Sequence, residues 1–219
     1  MQSLSRCEIV AGLERTGIVA IIRSQSPSQL VDVCRALADG GVTASEITMT
    51  TPGALDAIAA TVDRLGPNGL IGVGSVLDAQ TARTAILAGA SYVVSPTTKR
   101  QVIEMAHRYG KAVIPGALTP TEILGAFEAG ADLVKVFPAN HFGPRYFQDL
   151  LAPMPQLRLT PTGGVDLETA ADWLRAGAAC LGVGSALVRK DLIMAGDLTG
   201  LTKLARRFVQ IVKQVREES

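Results

Sequence analysis

Eight short runs rich in strand-forming residues recur along the chain at nearly even spacing. They are GIVAIIR (17–23), SEITMT (45–50), LIGVGS (70–75), SYVVSP (91–96), AVIPGA (112–117), LVKVFP (133–138), LRLTPTG (157–163) and CLGVGS (180–185). Their starts lie roughly 20 to 28 residues apart, room for one strand, one helix and two short turns. Strands that are apolar throughout, each followed by a helical segment, imply a parallel sheet covered by helices. Eight such units close naturally into a (β/α)8 TIM barrel, an α/β fold. The rival, an open doubly wound sheet, calls for a glycine-rich turn after its first strand. Here that strand runs into RSQSPSQ, which has no glycine. Residues 3–15 read as an extra N-terminal helix capping the barrel bottom. No linker, charge run or low-complexity stretch divides the chain, so residues 1–219 read as one domain.

The intervening segments carry helix signals. PSQLVDVCRALADGG places Leu30, Val33 and Leu37 on one face and stops at Gly40. DAQTARTAILAGA opens on an Asp cap and stops at Gly89. Thr119, with Glu122 three residues on, has the spacing of a capping box. DLETAADWLRAGA repeats the pattern from Asp166 to Gly177. Four helices end in related phrases, LADGG, ILAGA, FEAGA and LRAGA. A shared stop signal with Gly in the left-handed region is sufficient explanation. The last segment, DLTGLTKLARRFVQIVKQV, has an apolar stripe that fits either the barrel or a neighbouring copy.

Composition narrows the class. With 21 basic and 20 acidic residues the net charge is +1, which gives no electrostatic reason to expect nucleic acid or an anionic membrane as partner. Cys7, Cys34 and Cys180 are scattered, without metal-ligand or disulfide spacing, as in a reducing compartment. The opening MQSLSRCEIV lacks the apolar centre of a secretory signal. No stretch approaches the roughly 18 apolar residues of a membrane helix. A cytoplasmic location is expected.

In a barrel of this kind the active site lies at the C-terminal strand ends, and side chains alternate between interior and helix layer. On the sixth run Val134 and Val136 suit the helix layer, so Lys135 points inward with Leu133 and Phe137. An inward lysine among apolar neighbours tends to lose its proton and become a nucleophile suited to Schiff-base formation on a ketone. The alternatives are a lysine reaching the rim or one neutralised by a carboxylate. On the second run Glu46, Thr48 and Thr50 share the inward face. Glu46 with Lys135 makes either an acid/base pair for imine chemistry or a structural ion pair. Arg23, in phase with Ile21 and Val19, is either an inward anion clamp or a rim residue.

The seventh run leads into TPTGGVD (160–166) and the eighth ends in GVGSAL (182–187). Gly163 and Gly164, with Gly184 and Ser185, form a pair of glycine-rich loops where barrels often hold phosphate; the competing reading is that GG is only a turn. Ser75 in GVGSV adds a hydroxyl donor. His107 reads as a surface residue of a helix. His141 lies in the loop after the sixth run, either touching substrate or merely preceding a short helix that begins at Pro144. Two histidines without nearby carboxylates suggest no metal site.

The motifs GIVAIIR, GGVTASEITMTTPGAL, IGVGSVLDAQTARTAILAGA, VVSPTT, VIPGALTPTEILGAFEAGADLVKVFPA and PTGGV, in this order, resemble the bacterial 2-keto-3-deoxy-6-phosphogluconate (KDPG) aldolases, also described as 4-hydroxy-2-oxoglutarate (KHG) aldolases. The likeness runs from about residue 14 to 190. It implies a homotrimeric class I aldolase without metal or other cofactor, acting on a small keto-acid phosphate. It implies Lys135 as the Schiff-base lysine and Glu46 as the proton shuttle. Ser75 stands where the family usually has a threonine contacting the pyruvate carboxylate; Pro96 and Phe137 line the pocket. Thr162, Gly163, Gly164, Gly184 and Ser185 match the phosphate loops. One position departs: the best-known branch has an arginine four residues after the glutamate, gripping the carboxylate, and here that position is Thr50. Arg23 would take over, as in relatives resembling the 6-phosphogalactonate aldolases, which the FGPRY loop also resembles. Two other readings stand beside this one, an aldolase for non-phosphorylated 4-hydroxy-2-oxoacids and a phosphate-binding barrel without aldolase chemistry.

Overall fold

The computed structural model describes residues 4–23 and 29–218. The beginnings of the expected first helix, at residue 3, and of the second, at 27–28, lie outside those residues. Strand and helix alternate as the spacing requires. α1 (Arg6–Thr16) precedes β1 (Ile18–Ile22), α2 (Leu30–Asp39), β2 (Ala44–Thr48), α3 (Ala54–Leu65), β3 (Leu70–Gly74), α4 (Ala79–Leu87), β4 (Tyr92–Val94), α5 (Arg100–Arg108) and β5 (Ala112–Ile114). Then come β6 (Gly116–Ala117), α6 (Pro120–Glu128), β7 (Val134–Val136), α7 (Arg145–Leu151), β8 (Leu159–Pro161), α8 (Ala170–Arg175), β9 (Leu181–Val183), α9 (Lys190–Met194) and α10 (Leu198–Glu217).

All pairings are parallel. Six strands form a sheet in the order β5-β4-β3-β2-β1-β9, and three form a second, β6-β7-β8. The fifth expected strand, 112–117, is divided because Pro115 has no N–H to give to a ladder. Its carbonyl still accepts from Lys135 N at 2.9 Å, which fixes the height of β7. Two isolated parallel bridges, Leu159 to Ala178 and Thr162 to Gly182, run between the β8 and β9 segments.

The pleat sorts the apolar residues into two cores. Ile18, Ala20, Ile22, Ile47, Ile71, Val73, Val93, Val113, Val134 and Val136 pack outward against the helices. Val19, Ala44, Leu70, Tyr92, Val94, Ala112, Ile114, Leu133 and Cys180 pack inward, and Ile9, Val10 and Leu13 of α1 join them. α1 therefore plugs one end of the interior. It begins at a Ser5–Glu8 capping box, which the spacing SRCE signals.

Other helix ends refine the sequence reading. Asp78 caps α4 and a Thr119–Glu122 box caps α6, as expected. At the end of α2 it is Gly41, at φ +95°, that takes the left-handed conformation, while Gly40 remains right-handed. α8 begins at Ala170, later than Asp166, because Asp166 spends its carboxylate on Thr169 N (2.9 Å) and Glu168 N (3.0 Å), closing a turn before the helix. α7 starts one residue after Pro144. α10 buries Leu201, Ala205, Phe208, Val212 and Val215 and packs on α2 and α8, so its stripe belongs to this chain. Among the described residues no helix is long and apolar enough to cross a membrane.

Candidate active site

Lys135 lies at the centre of β7, opposite Gly116 of β6 and Thr160 of β8. It is 7% exposed, and its Nζ stands 5.2 Å from the centroid of the Phe137 ring. Glu46, on β2, is 2% exposed. Its Oε1 is 4.0 Å from Lys135 Nζ and accepts no hydrogen bond among the described residues. Burial pushes the Glu46 carboxyl above its ordinary 4.5, while the charges of Lys135 and then Arg23 oppose the rise. Two glycines make this arrangement possible. A Cβ on Gly74 would collide with Glu46 Oε1, and one on Gly182 with Thr162 Oγ1. Both absences leave interior space to the functional side chains.

Around the pair is a small cavity of about 10 Å³ lined by Val19, Glu46, Val94, Ile114, Lys135, Thr160, Thr162 and Gly182. Thr160 Oγ1 is committed to Cys180 Sγ at 3.2 Å. Cys34 and Cys180 are fully buried, and burial pushes their thiols up to about 12 and about 11, so neither supplies a thiolate nucleophile. Tyr92 fills the floor, one glycine away from Glu46 across Gly72. Its buried hydroxyl has no hydrogen-bond partner among the described residues, and burial, then the Glu46 charge, raise its pKa well above 10.0.

Thr162 and Gly182 also line a larger, open cavity of about 580 Å³. This one gathers Arg23, Phe137, Gly163, Gly164, Gly184 and Ser185. The β8 and β9 loops thus meet in one place, with Arg23 of the β1 end beside them. Gly163 (φ +96°) and Gly164 (φ +73°) are in the left-handed region. Gly164 additionally backs onto Asn140, whose Cβ would lie 2.6 Å from an added Cβ. A side chain there is excluded on both counts. Phe137 is shared with a third cavity of about 480 Å³, which holds Pro96. A cavity of about 910 Å³ lies elsewhere, between α1, α2 and the turn at 66–69, and contains none of the candidate residues.

Some expectations separate from this cluster. Thr50 is exposed, lines none of these cavities and shares a 2.9 Å hydrogen bond with the Thr48 hydroxyl. Ser75 follows β3 at φ +59°, the only described non-glycine residue with positive φ, a strained setting of the kind that accumulates at working sites. It lines none of the cavities above. His107 is not a plain surface residue: it is half-buried and its Nε2 meets Asp132 at 3.3 Å, where Arg6 also pairs. His141 is exposed, in the short turn Ala139–His141. Lys190 and Asp166 also line the 580 Å³ cavity; the sequence marked Asp166 only as a helix start, and Lys190, outside the glycine-rich phrases, not at all. Among the described residues no group of three His, Cys, Asp or Glu is placed to hold a metal.

A parallel α/β scaffold with an inward lysine and carboxylate beside a glycine-lined cavity is an arrangement that imine-forming enzymes use. The sequence profile of the KDPG and KHG aldolase family matches residues 9–204. The 2-dehydro-3-deoxy-6-phosphogalactonate aldolase of Escherichia coli K12 is 36% identical over 201 residues, 91% of this chain and 95% of the relative. The 2-dehydro-3-deoxy-phosphogluconate aldolase of Treponema pallidum is 35% identical over 205 residues, covering 93% and 97%. Among solved structures, the KDPG aldolase of Legionella pneumophila, with pyruvate captured as a covalent carbinolamine, superposes with a TM-score of 0.84 at 25% identity, covering 90% of this chain and 96% of that one. The chain belongs to the KDPG and KHG aldolase family and is an aldehyde-lyase.

Proposed function

We propose that the protein cleaves a 2-keto-3-deoxy-6-phospho sugar acid to pyruvate and glyceraldehyde 3-phosphate through an imine on Lys135. The observation that carries this reading is the buried Lys135–Glu46 pair, 4.0 Å apart, facing a small cavity that adjoins the glycine-lined one through Thr162 and Gly182. The Lys135 amine attacks the C2 ketone. Glu46 moves the protons that turn the carbinolamine into an iminium and water; its burial-raised pKa suits a group that must both give and take a proton. Glu46 takes the C4 hydroxyl proton as the C3–C4 bond breaks. The bonding electrons flow into the iminium, the aldehyde leaves, and protonation and hydrolysis of the enamine return pyruvate and the free lysine.

In this reading Arg23 and Ser75 hold the pyruvyl carboxylate, fixing geometry as much as affinity. Thr50 stands outside these cavities, with its hydroxyl bonded to Thr48. Pro96 and Phe137 form the apolar wall, and Thr162, Gly163, Gly164, Gly184 and Ser185 receive the phosphate. The two sheets are read as one eight-unit barrel over residues 1–219, supported by the short step across Pro115 and the bridges between β8 and β9. A homotrimer in the cytoplasm completes the reading, on family likeness.

Borohydride reduction in the presence of pyruvate, followed by peptide mass mapping, tests it. The expected result is one stable adduct on Lys135, absent in Lys135→Met. A folded protein that gives no adduct overturns the imine mechanism. Steady-state rates on the gluconate and galactonate epimers, each with and without the 6-phosphate, then define the substrate.

A further inference from the structure

Building on that reading, a substrate with a carboxylate at one end and a phosphate at the other asks for a counter-charge at each. Among the residues lining the 580 Å³ cavity only Arg23 and Lys190 are cationic, and only Asp166 is anionic. Asp166 is not free to neutralise either. It caps its own turn through Thr169 N, Thr169 Oγ1 and Glu168 N. Partial burial opposes its ionisation, but these hydrogen bonds outweigh it and hold the carboxyl below its ordinary 3.8.

The local sequence VRKD separates two adjacent cations. Arg189 is held by Asp191 through two contacts, 2.9 and 2.6 Å. The Lys190 ammonium has no ion pair among the described residues and belongs to the cavity wall that carries Gly184, Ser185 and Val188. Arg23, by contrast, lies close enough to Glu46 for its charge to act on that carboxyl, which places it toward the reacting end. We propose that Lys190 supplies the counter-charge for the substrate's phosphate, so that Arg23 serves the carboxylate and phosphate selectivity rests on a side chain as well as on glycine loops. An ammonium on a flexible stem suits this task, because it follows a dianion without demanding bidentate geometry.

The experiment compares wild type, Lys190→Ala and Lys190→Arg on 2-keto-3-deoxy-6-phosphogluconate and on its non-phosphorylated parent, at about 20 mM and about 200 mM salt. Lys190→Ala raises KM for the phosphorylated substrate about tenfold at low salt, with a smaller rise at high salt, as loss of a partly solvated charge-assisted contact requires. Preference for the phosphorylated substrate falls by the same factor, and Lys190→Arg recovers most of it. A KM within about twofold of wild type in Lys190→Ala, with the wild type still preferring the phosphate, rejects Lys190 and leaves the functional reading intact. A fall in kcat as large as that in kcat/KM rejects it too, because the residue would then be structural. A wild type indifferent to the phosphate removes the phosphate reading and this inference with it.

Discussion

The Gly74→Ala substitution tests the central pair without touching either member of it. An added Cβ would lie 2.5 Å from Glu46 Cδ and 2.6 Å from Cγ, where relaxed carbon contacts need roughly 3.5 Å. The carboxyl group must therefore retreat by about 1 Å. It has nowhere easy to go, since the residue is 2% exposed and the adjoining cavity is only about 10 Å³. The expected stability loss is about 1–3 kcal/mol for overpacking, or roughly 2–4 °C of Tm per kcal/mol at this chain length. An activity loss is expected as well: a 1 Å displacement of a proton-transfer group costs on the order of a hundredfold in kcat, about 2.7 kcal/mol in activation free energy. Pyruvate release followed by a coupled dehydrogenase reads kcat, and thermal melting reads stability. Gly72→Ala is the comparison, for the atoms nearest its Cβ belong to the Tyr92 ring, 2.5 Å at Cδ2. A folded Gly74→Ala enzyme with kcat within threefold of wild type refutes the argument, as does a Gly72→Ala enzyme that loses as much kcat as Gly74→Ala.

Three further outcomes follow from the same structure. Glu46 carries a folded pKa above its ordinary 4.5, so in the window above 4.5 the folded state binds more protons than the unfolded one and stability falls as pH rises through it. Glu46→Gln removes this titration, so the Tm difference, variant minus wild type, grows as pH climbs from 4.5 and then levels off; a flat difference contradicts the shift. The same variant loses roughly two to four orders of magnitude in kcat, and an unchanged kcat makes Glu46 structural. Gly125, on the exposed side of α6 with nothing within 4 Å of an added Cβ, gains about 0.5–1 kcal/mol on change to Ala, measured by denaturant unfolding; a loss of stability there would mean that this helix face is covered by another copy.

Period-two alternation was enough to aim Lys135 and Glu46 inward, because a strand offers a side chain only two directions. It could not give their separation, which depends on three intervening strands and on the absent side chain at Gly74. Arg23 stood undecided between clamp and rim because a strand-end residue has lost its ladder; the structure puts it on the cavity wall. Thr50 failed for a related reason, since the turn after β2 lets its hydroxyl fold back onto Thr48. The glycine loops were legible as phrases, but their meeting required β8 and β9 to be neighbours, a fact of topology. Lys190 left no mark because a lysine in VRKD resembles any helix start. Asp166 misled the helix boundary because Asx turns and N-caps use the same residue type.

The α1 plug has a consequence for traffic. Ile9, Val10 and Leu13 fill the α1 end of the interior, so in the proposed barrel the substrate and both products pass at the opposite end. In the proposed mechanism pyruvate stays tethered to the buried Lys135, and the aldehyde fragment lies on the side of the larger cavity. The proposed mechanism then makes departure sequential, aldehyde first and pyruvate last, with the keto acid loading before its partner in the condensing direction.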